Sequence, residues 1–308
     1  MLKKLTAKNY TWIDIDHPTE EDVNYVKNNY GIRDVVLNRL IPPMKRSEIE
    51  EYKQYFFIIL HFPSFDQEFR KSRPEELDVI ITEDTLITSH NGNLSAHNTF
   101  FKICNECEPE KLILLGKGHV HLFYHLLDSL IDAQLPMLDH IAENITRIEE
   151  EVFRGQEREM LREIAIVKRD IIDFRRIVKP QHSILEALNR KAYHLFGDKY
   201  MKKMERNSQE IIGSNIKIWN TIENHKEMIE SIEETNESLL SYKLNETMKF
   251  LTATSVILTP MALFINIWGM SFGNMPLENN SWGFWIILVS ALIIGVSITL
   301  YFKLKRWM

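Results

Sequence analysis

The chain has 308 residues, is 44% hydrophobic and carries a formal net charge of −6. This mildly acidic balance gives no support to a nucleic-acid-binding protein, for which a basic patch is expected. Residues 1–249 precede two long uncharged runs and suffice for one large or two modest soluble domains. The only cysteines, Cys104 and Cys107, form one Cys-x-x-Cys without a second pair, so we expect free thiols of a reducing compartment.

Residues 1–117 predict an α+β cytoplasmic domain. Aromatic and β-branched runs predict strands at residues 10–15, 52–62, 77–81 and 85–90. Helices are expected over 20–29, where Thr19 is the capping residue, and over 33–40, where Pro42 and Pro43 follow. This segment has no Gly-rich phosphate loop and no nucleophile constellation, so we expect no enzyme.

Residues 118–204 predict a pair of long cytoplasmic helices that break near Gly155. Pro180 is expected to interrupt or kink the second helix, because proline removes a backbone hydrogen bond. His121 and His125 are spaced i, i+4, which can place two imidazoles on one face for a metal. Since no His-Glu-x-x-His pattern accompanies them, ordinary helix positions are the favoured interpretation.

A stalk helix is predicted over 205–249, beginning near Lys202 and continuing into the first apolar run. Its apolar seam alternates by four and three residues, the step of a coiled coil. The seam residues are Ile218, Ile222, His225, Ile229, Ile232, Asn236 and Leu239. The pattern suggests a bundle of subunits whose axis continues towards Asn245.

Glutamates crowd the stalk helix. A solvated charged face is the simplest interpretation. The alternative is a set of carboxylates between subunits that bind intracellular divalent cation and hold a bundle closed. The candidate regulatory ligands are Glu210, Glu223, Glu227 and Glu230.

Two membrane spans are predicted over 250–270 and 282–302, because each uncharged run is long enough to cross a bilayer as a helix. The loop 271–281 contains Glu278 and no Lys or Arg, whereas basic residues flank the other ends. Those basic residues are Lys243, Lys249, Lys303, Lys305 and Arg306. The positive-inside rule therefore places both termini, including the tail 303–308, in the cytoplasm and the loop outside, in a multi-pass protein of the cell membrane.

One face of the first span is polar. Its members, which we call the polar stripe, are Asn245, Met248, Thr252, Ser255, Thr259, Ala262 and Asn266. Polar groups in a bilayer core face protein or a water-filled cavity, so the stripe predicts either pore lining or helix packing. Two spans of one chain cannot enclose a pore, so pore lining requires a homo-oligomer. Met248 and Leu251 near the inner end suit an apolar gate.

The same region resembles the CorA magnesium/cobalt transporter family. The residues that carry the resemblance are Asn245-Glu246-Thr247-Met248-Lys249, Leu251-Thr252, Pro260, Trp268-Gly269-Met270-Ser271-Phe272 and Met275-Pro276. It extends to Thr11-Trp12-Ile13-Asp14, Leu86-Ile87-Thr88, Leu161-Arg162-Glu163 and Arg169-Asp170. The resemblance implies a funnel-shaped homopentamer with a large cytoplasmic domain and a pore lined by the first span.

The resemblance also implies that Gly269, Met270 and Ser271 form the outer pore mouth, where the family has Gly-Met-Asn. Ser271 offers a shorter hydroxyl than the amide of asparagine, so a ring of five would be wider. Asn266, in phase with the polar stripe, or Asn274 could supply an amide ring instead.

The resulting hypothesis is a channel for divalent cations, with Mg²⁺ as both cargo and regulator and with Co²⁺ or Ni²⁺ as further cargo. The Ser271 departure leaves room for Zn²⁺ or another cation. A non-conducting two-span sensor or scaffold is the rival; it explains the anchor but not the polar stripe. The expected partners are further copies of the chain, the lipid bilayer and divalent metal ions, without nucleic acid.

Overall fold

The computed structural model describes residues 1–7, 10–106, 114–116, 118–196, 198–269 and 282–305. These residues fall into two compact units, Met1–Glu233 and Glu234–Met308. The main helices are α1 (Glu20–Tyr30), α2 (Asp34–Leu37), α3 (Ser95–Glu106), α4 (His119–Asp132), α5 (Leu135–Phe153), α6 (Glu157–Phe196), α7 (Asp198–Gly269) and α8 (Gly283–Leu304).

A six-stranded sheet organises the first unit. Its strands are β1 (Leu2–Thr6), β2 (Thr11–Asp16), β3 (Glu48–Glu51), β4 (Tyr55–Asp66), β5 (Lys71–Thr82) and β6 (Thr85–His90). Their order across the sheet is β1-β2-β6-β5-β4-β3. Only β2 and β6 are parallel, with Asp14 opposite Thr88 and Asp16 opposite His90; the other pairs are antiparallel.

Helices α1 and α2 cover one face of the sheet. Thr19 begins α1 as predicted: its hydroxyl accepts from the Asp22 amide at 3.3 Å, and the Asp22 carboxylate accepts from the Thr19 amide at 3.1 Å. This reciprocal pair satisfies two donors that a helix start leaves free. Val26 of α1 and Val36 of α2 are fully buried in an apolar cluster with the sheet, so burial of this face fixes both helices.

The opposite face packs against α3, and α6 contacts strands β4 and β5. The Trp12 ring is fully buried, and its centroid lies 4.9 Å from that of Phe101 in α3. Asp170 of α6 accepts hydrogen bonds from the amide and the hydroxyl of Ser72, at 2.5 and 2.7 Å. The Gln181 amide of α6 donates to the His61 carbonyl at 2.7 Å. Buried polar groups therefore fix the position of α6 along β4 and β5.

The predicted strands all occur, with bounds shifted by a few residues, and Thr85–His90 agrees at both ends. Strands β1 and β3 and helix α3 were not predicted, because β1 and β3 are short edge strands without an apolar run. The region 118–204, for which two long helices are expected, contains three helices before α7 begins, since α4 ends at Asp132 and α5 begins at Leu135.

The structure corrects two expectations for the helices in part; of the two outcomes expected at Pro180, an interruption or a kink, it excludes the interruption. Pro180 does not interrupt α6, which continues to Phe196, because burial of both flanking turns outweighs one lost hydrogen bond. The seam residues Ile218, Ile222 and Ile229 are fully buried within a single chain. In the same stretch Asn215 donates to Gln181 of α6 at 2.9 Å. This part of the seam therefore packs inside the subunit and does not face the axis of a bundle of subunits.

The second unit contains the C-terminal part of α7 and the whole of α8. Helices over Glu205–Ile267 and Gly283–Leu304 include stretches long and apolar enough to cross a membrane, in agreement with the two predicted spans. Gly295 of α8 lies directly against Met261 of α7, since a Cβ at Gly295 would sit 2.7 Å from the Met261 sulfur. Small residues allow such close approach between helices in a membrane.

Glu163 connects three segments of the first unit through ion pairs. Its carboxylate accepts two hydrogen bonds from Arg70, at 2.7 and 3.0 Å, and one from Arg147 at 3.0 Å. These guanidinium groups, Arg70 first, lower the pKa of Glu163 to about 2, although burial opposes the shift. A depressed carboxyl pKa stabilises the fold above the unfolded value of 4.5, and the gain is lost as pH falls towards about 2.

We expect Glu163→Gln to lower the free energy of unfolding by about 1 kcal/mol at neutral pH, a value discounted because both arginines are partly exposed. The difference from wild type should shrink as the pH falls from about 4.5 towards about 2, because the carboxyl of the unfolded wild type becomes protonated before that of the folded protein. Thermal unfolding of both proteins in detergent, at a series of pH values, measures this difference in stability. Glu159→Gln, at an exposed position of the same helix, is the control; an equal effect there would contradict the role of the arginine bridge.

Candidate functional site

The polar stripe is the candidate site, and every one of its members is exposed in the single chain. The side chains of Met248 and Leu251 are 52% and 59% exposed. The residues that α7 turns away from solvent are different ones: Ala253 is buried, and Ile257 and Met261 are partly buried. The stripe is therefore available to another molecule or to water.

Helix geometry places the stripe opposite the face that meets α8. At 3.6 residues per turn, the centre of the polar stripe lies about 170° around α7 from the centre of the face formed by Ala253, Ile257 and Met261. Since Met261 contacts Gly295 of α8, the packing of the two spans leaves the stripe uncovered. Packing against the chain's own second span does not explain the polar residues.

The chemistry of the stripe is that of neutral oxygen ligands. Thr252, Ser255 and Thr259 carry hydroxyls, Asn245 and Asn266 carry amides, and the stripe contains no carboxylate. The Ser255 hydroxyl donates to the Leu251 carbonyl at 2.9 Å, so its lone pairs remain available as acceptors. A hydrated Mg²⁺ keeps most of its water and can be held through it by such acceptors without tight binding.

The outer end of the stripe reaches the limit of the described residues. Helix α7 ends at Gly269, and Asn266 is exposed less than one turn before it. Met270, Ser271 and Asn274 lie outside the described residues, so the predicted pore mouth stays a prediction there.

Three of the four predicted regulatory glutamates stand beside basic partners of their own chain. Glu223 accepts from Arg175 of α6 at 2.6 Å, and Glu230 pairs with Lys226 at 3.2 Å. Glu210 is exposed and accepts from Arg206 at 2.9 Å. Glu227 is exposed. A metal bound by Glu223 or Glu230 would compete with these ion pairs. The exposed carboxylate of Glu227 could bind a metal without breaking one of them.

Comparison with known proteins assigns the chain to a family. The model of the family described as "CorA-like Mg2+ transporter protein" matches residues 7–306. The chain belongs to this CorA-like family. This confirms the resemblance drawn from the stalk and the first span.

Relatives of the CorA-like family match the chain almost from end to end. The cobalt/magnesium transport protein CorA of Thermotoga maritima is 26% identical over 299 residues, covering 97% of this chain and 83% of that protein. Zinc transport protein ZntB of Yersinia pseudotuberculosis is 18% identical over 304 residues, covering 96% and 88%. The solved structure of the CorA magnesium transporter from Methanocaldococcus jannaschii matches with a TM-score of 0.83 at 21% identity, covering 100% of this chain and 95% of that one. The predicted CorA-like fold, an α+β domain followed by a long helix and two apolar C-terminal helices, is confirmed.

The histidine pair and the cysteines of this CorA-like chain, which the sequence offered as possible metal or redox sites, occupy ordinary positions in the fold. His121 and His125 contact each other, with their Nε2 atoms 3.2 Å apart on α4. Cys104 is buried and forms no disulfide, as expected for a free thiol, while Cys107 lies outside the described residues.

The sequence reasoning missed the face of α8 that meets α7. Ala291 and Gly295 are buried there and stand four residues apart, a spacing of small residues that is itself a signal of close helix packing. This contact decides which face of α7 stays free, so it belongs to the site although it contributes no polar group.

Gly295→Leu should push α8 away from Met261 and destabilise the second unit by about 1–3 kcal/mol, the usual cost of overpacking. Thermal unfolding and the assembly state in detergent measure the effect, and Val296→Leu, at the neighbouring exposed position, is the matched control. Equal behaviour of the two variants would contradict the proposed contact.

Proposed function

We propose that this chain is the subunit of a homopentameric channel of the CorA-like family that carries hydrated Mg²⁺ into the cell. The observation that carries the proposal is the exposed polar stripe on the face of α7 opposite α8. Its support is threefold: the family match over residues 7–306, the relatives named as cobalt/magnesium transporters, and the neutral oxygen chemistry of the stripe.

Assembly follows from the exposure of the stripe. Polar groups facing lipid are costly, so the free faces of several α7 helices would turn towards one another around a shared axis. The ring would bring several copies of Asn266, Thr259 and Ser255 to a common water-filled path. A pentamer is the number of subunits implied by the family resemblance.

Transport down the electrochemical gradient needs no energy-coupling site. With both termini in the cytoplasm of a cell whose membrane is negative inside, each charge gains about 2.3 kcal/mol per 100 mV, and a divalent ion gains about twice that. Met248 and Leu251, exposed near the inner end of the stripe, would form the apolar constriction that closes the path by excluding water.

Selectivity would depend on an amide ring at Asn266, supplemented by Ser271 and Asn274 at the mouth. The amide reaches farther than the hydroxyl of serine and can donate to and accept from the water shell of the ion. Because one relative is named as a zinc transport protein, Zn²⁺ is the second cargo to test, together with Co²⁺ and Ni²⁺.

Asn266→Leu should reduce Mg²⁺ uptake by tenfold or more, since losing about 1.4 kcal/mol of stabilisation along the path already costs about tenfold in rate. Uptake is measured with the purified protein in liposomes that contain a Mg²⁺-sensitive dye, under an imposed inside-negative potential, with Zn²⁺ and Co²⁺ in parallel. Unchanged uptake by Asn266→Leu would refute the amide ring.

A matched threonine pair controls for damage to the helix. Thr259 lies on the polar stripe, whereas Thr254 is partly buried off it and donates to the Phe250 carbonyl at 2.9 Å. Thr259→Val should lower uptake and Thr254→Val should not. Cobalt hexammine, a mimic of hydrated Mg²⁺, should block the wild type; a correctly assembled protein without flux of any ion would favour the sensor or scaffold instead.

Gating would be controlled by intracellular divalent cation at the glutamates Glu210, Glu223, Glu227 and Glu230, with Mg²⁺ as regulator. The double variant Glu227→Gln/Glu230→Gln should require a several-fold higher internal Mg²⁺ concentration for inhibition, because two carboxylates of one helix face are neutralised. Flux is measured at increasing internal Mg²⁺. Glu210→Gln serves as the comparison within the set, and an unchanged inhibition curve for both variants would remove these glutamates from the regulatory site.

A further inference from the structure

A buried cluster of one aspartate and two histidines lies in the first unit, outside the transport path. Asp14 is in β2, His90 ends the neighbouring parallel strand β6, and His97 is in α3. Asp14, His90 and His97 are 1%, 3% and 0% exposed. Asp14 and His90 share the sheet face that α3 covers, because Asp14 pairs with Thr88, two residues before His90.

The distances within the cluster are those of ligands around a common ion. The Asp14 Oδ1 atom lies 3.4 Å from His90 Nε2 and 3.3 Å from His97 Nε2, and one ligand atom from each residue lies within 4.8 Å of the others. Metal–ligand bonds of about 2.0–2.2 Å in a tetrahedral site separate the ligand atoms by about 3.3–3.6 Å. Both histidines therefore already stand at this separation from the Asp14 carboxylate.

The same atoms make poor hydrogen bonds. Among the described residues, Asp14 Oδ2, His90 Nε2 and both ring nitrogens of His97 have no hydrogen-bond partner. Leaving such groups buried and unpaired is unfavourable, and buried polar groups in native proteins are normally satisfied.

We propose that Asp14, His90 and His97 bind a d-block divalent cation, Zn²⁺ or Co²⁺, as a resident structural metal that ties α3 to the β2–β6 pair. Two imidazoles and one carboxylate suit Zn²⁺ in tetrahedral geometry, with water or the second carboxylate oxygen as the fourth ligand. Mg²⁺ prefers six oxygen ligands and does not suit this set.

The surroundings hold the ligands in place. The Thr88 hydroxyl donates to Asp14 Oδ1 at 2.8 Å and accepts from the Trp12 indole at 3.0 Å. The Gly92 amide donates to His90 Nδ1 at 3.0 Å, so without metal the His90 proton resides on Nε2. Ligation through His90 Nε2 would require that proton to stand on Nδ1 instead, at the cost of the Gly92 hydrogen bond and on the side of the Asp16 carboxylate, whose Oδ1 lies 4.0 Å from His90 Nδ1. A carboxylate behind a ligating histidine is the usual support of such a site.

Cobalt spectroscopy on the full-length protein in detergent tests the proposal. After removal of metal with a chelator, one equivalent of Co²⁺ should produce the intense visible absorption of a four-coordinate site, whereas hydrated or carboxylate-bound Co²⁺ is octahedral and absorbs weakly. Zn²⁺ should abolish the band, and a large excess of Mg²⁺ should leave it unchanged. A folded, monodisperse wild type that gives only the weak octahedral spectrum would overturn the proposal without any variant.

Variants locate the ligands. His97→Gln and Asp14→Asn should lose the intense band and the Zn²⁺-dependent rise in Tm that binding to the folded state produces. His182→Gln, which alters a histidine whose side chain is 42% exposed, should retain both. If His97→Gln keeps the band, the cluster is not the site. Liposome flux is a separate measurement, so a failed transport assay would leave this result unaffected.

Discussion

A polar face on a membrane helix has to be covered by protein or water, and this requirement governs the C-terminal part of the molecule. In a single chain the hydroxyls and amides of α7 are exposed, and lipid offers them no hydrogen-bond partners. The chain's own second span does not cover them, because it packs on the opposite face of α7. We infer that a solitary subunit would be incomplete in a bilayer, and that the proposed assembly around the polar faces would remove the unfavourable exposure and create a hydrated path. Structure and proposed function thus have the same physical origin.

Small residues determine this arrangement as much as polar ones. Gly295 and Ala291 let α8 approach α7 closely, and the approach orients α7 so that Asn266 and Thr259 stay free. In membranes the hydrophobic effect does not distinguish one apolar helix face from another, so shape decides which faces meet. The polar stripe provides the chemistry of the free face of α7, and the small residues of α8 determine which face of α7 is free.

In the first unit, buried polar groups give the packing its specificity. Asp170 and Gln181 each fix α6 to one strand through hydrogen bonds that only one register can satisfy. The Asp14, His90 and His97 cluster is the exception, since its atoms are close together yet poorly paired. A bound metal would turn this exception into the same kind of link, between α3 and the sheet, and would make the first unit dependent on a cation other than Mg²⁺, the main proposed cargo.

Patterns local in sequence determined the spans, the polar stripe, the cap at Thr19 and the central strands, because uncharged length, helical periodicity and turn chemistry act over a few residues. Only the tertiary structure decided that Ile218, Ile222 and Ile229 pack inside the subunit. Residues that follow them at multiples of seven are Ala253 and Ile257, which lie on the face of α7 opposite the polar stripe. The tertiary structure also decided that α6 passes through Pro180. The same holds for the cluster of Asp14, His90 and His97, which come from two strands and a helix and carry no shared motif. Side chains distant in sequence are brought together by sheet register and helix packing, and these depend on the whole core.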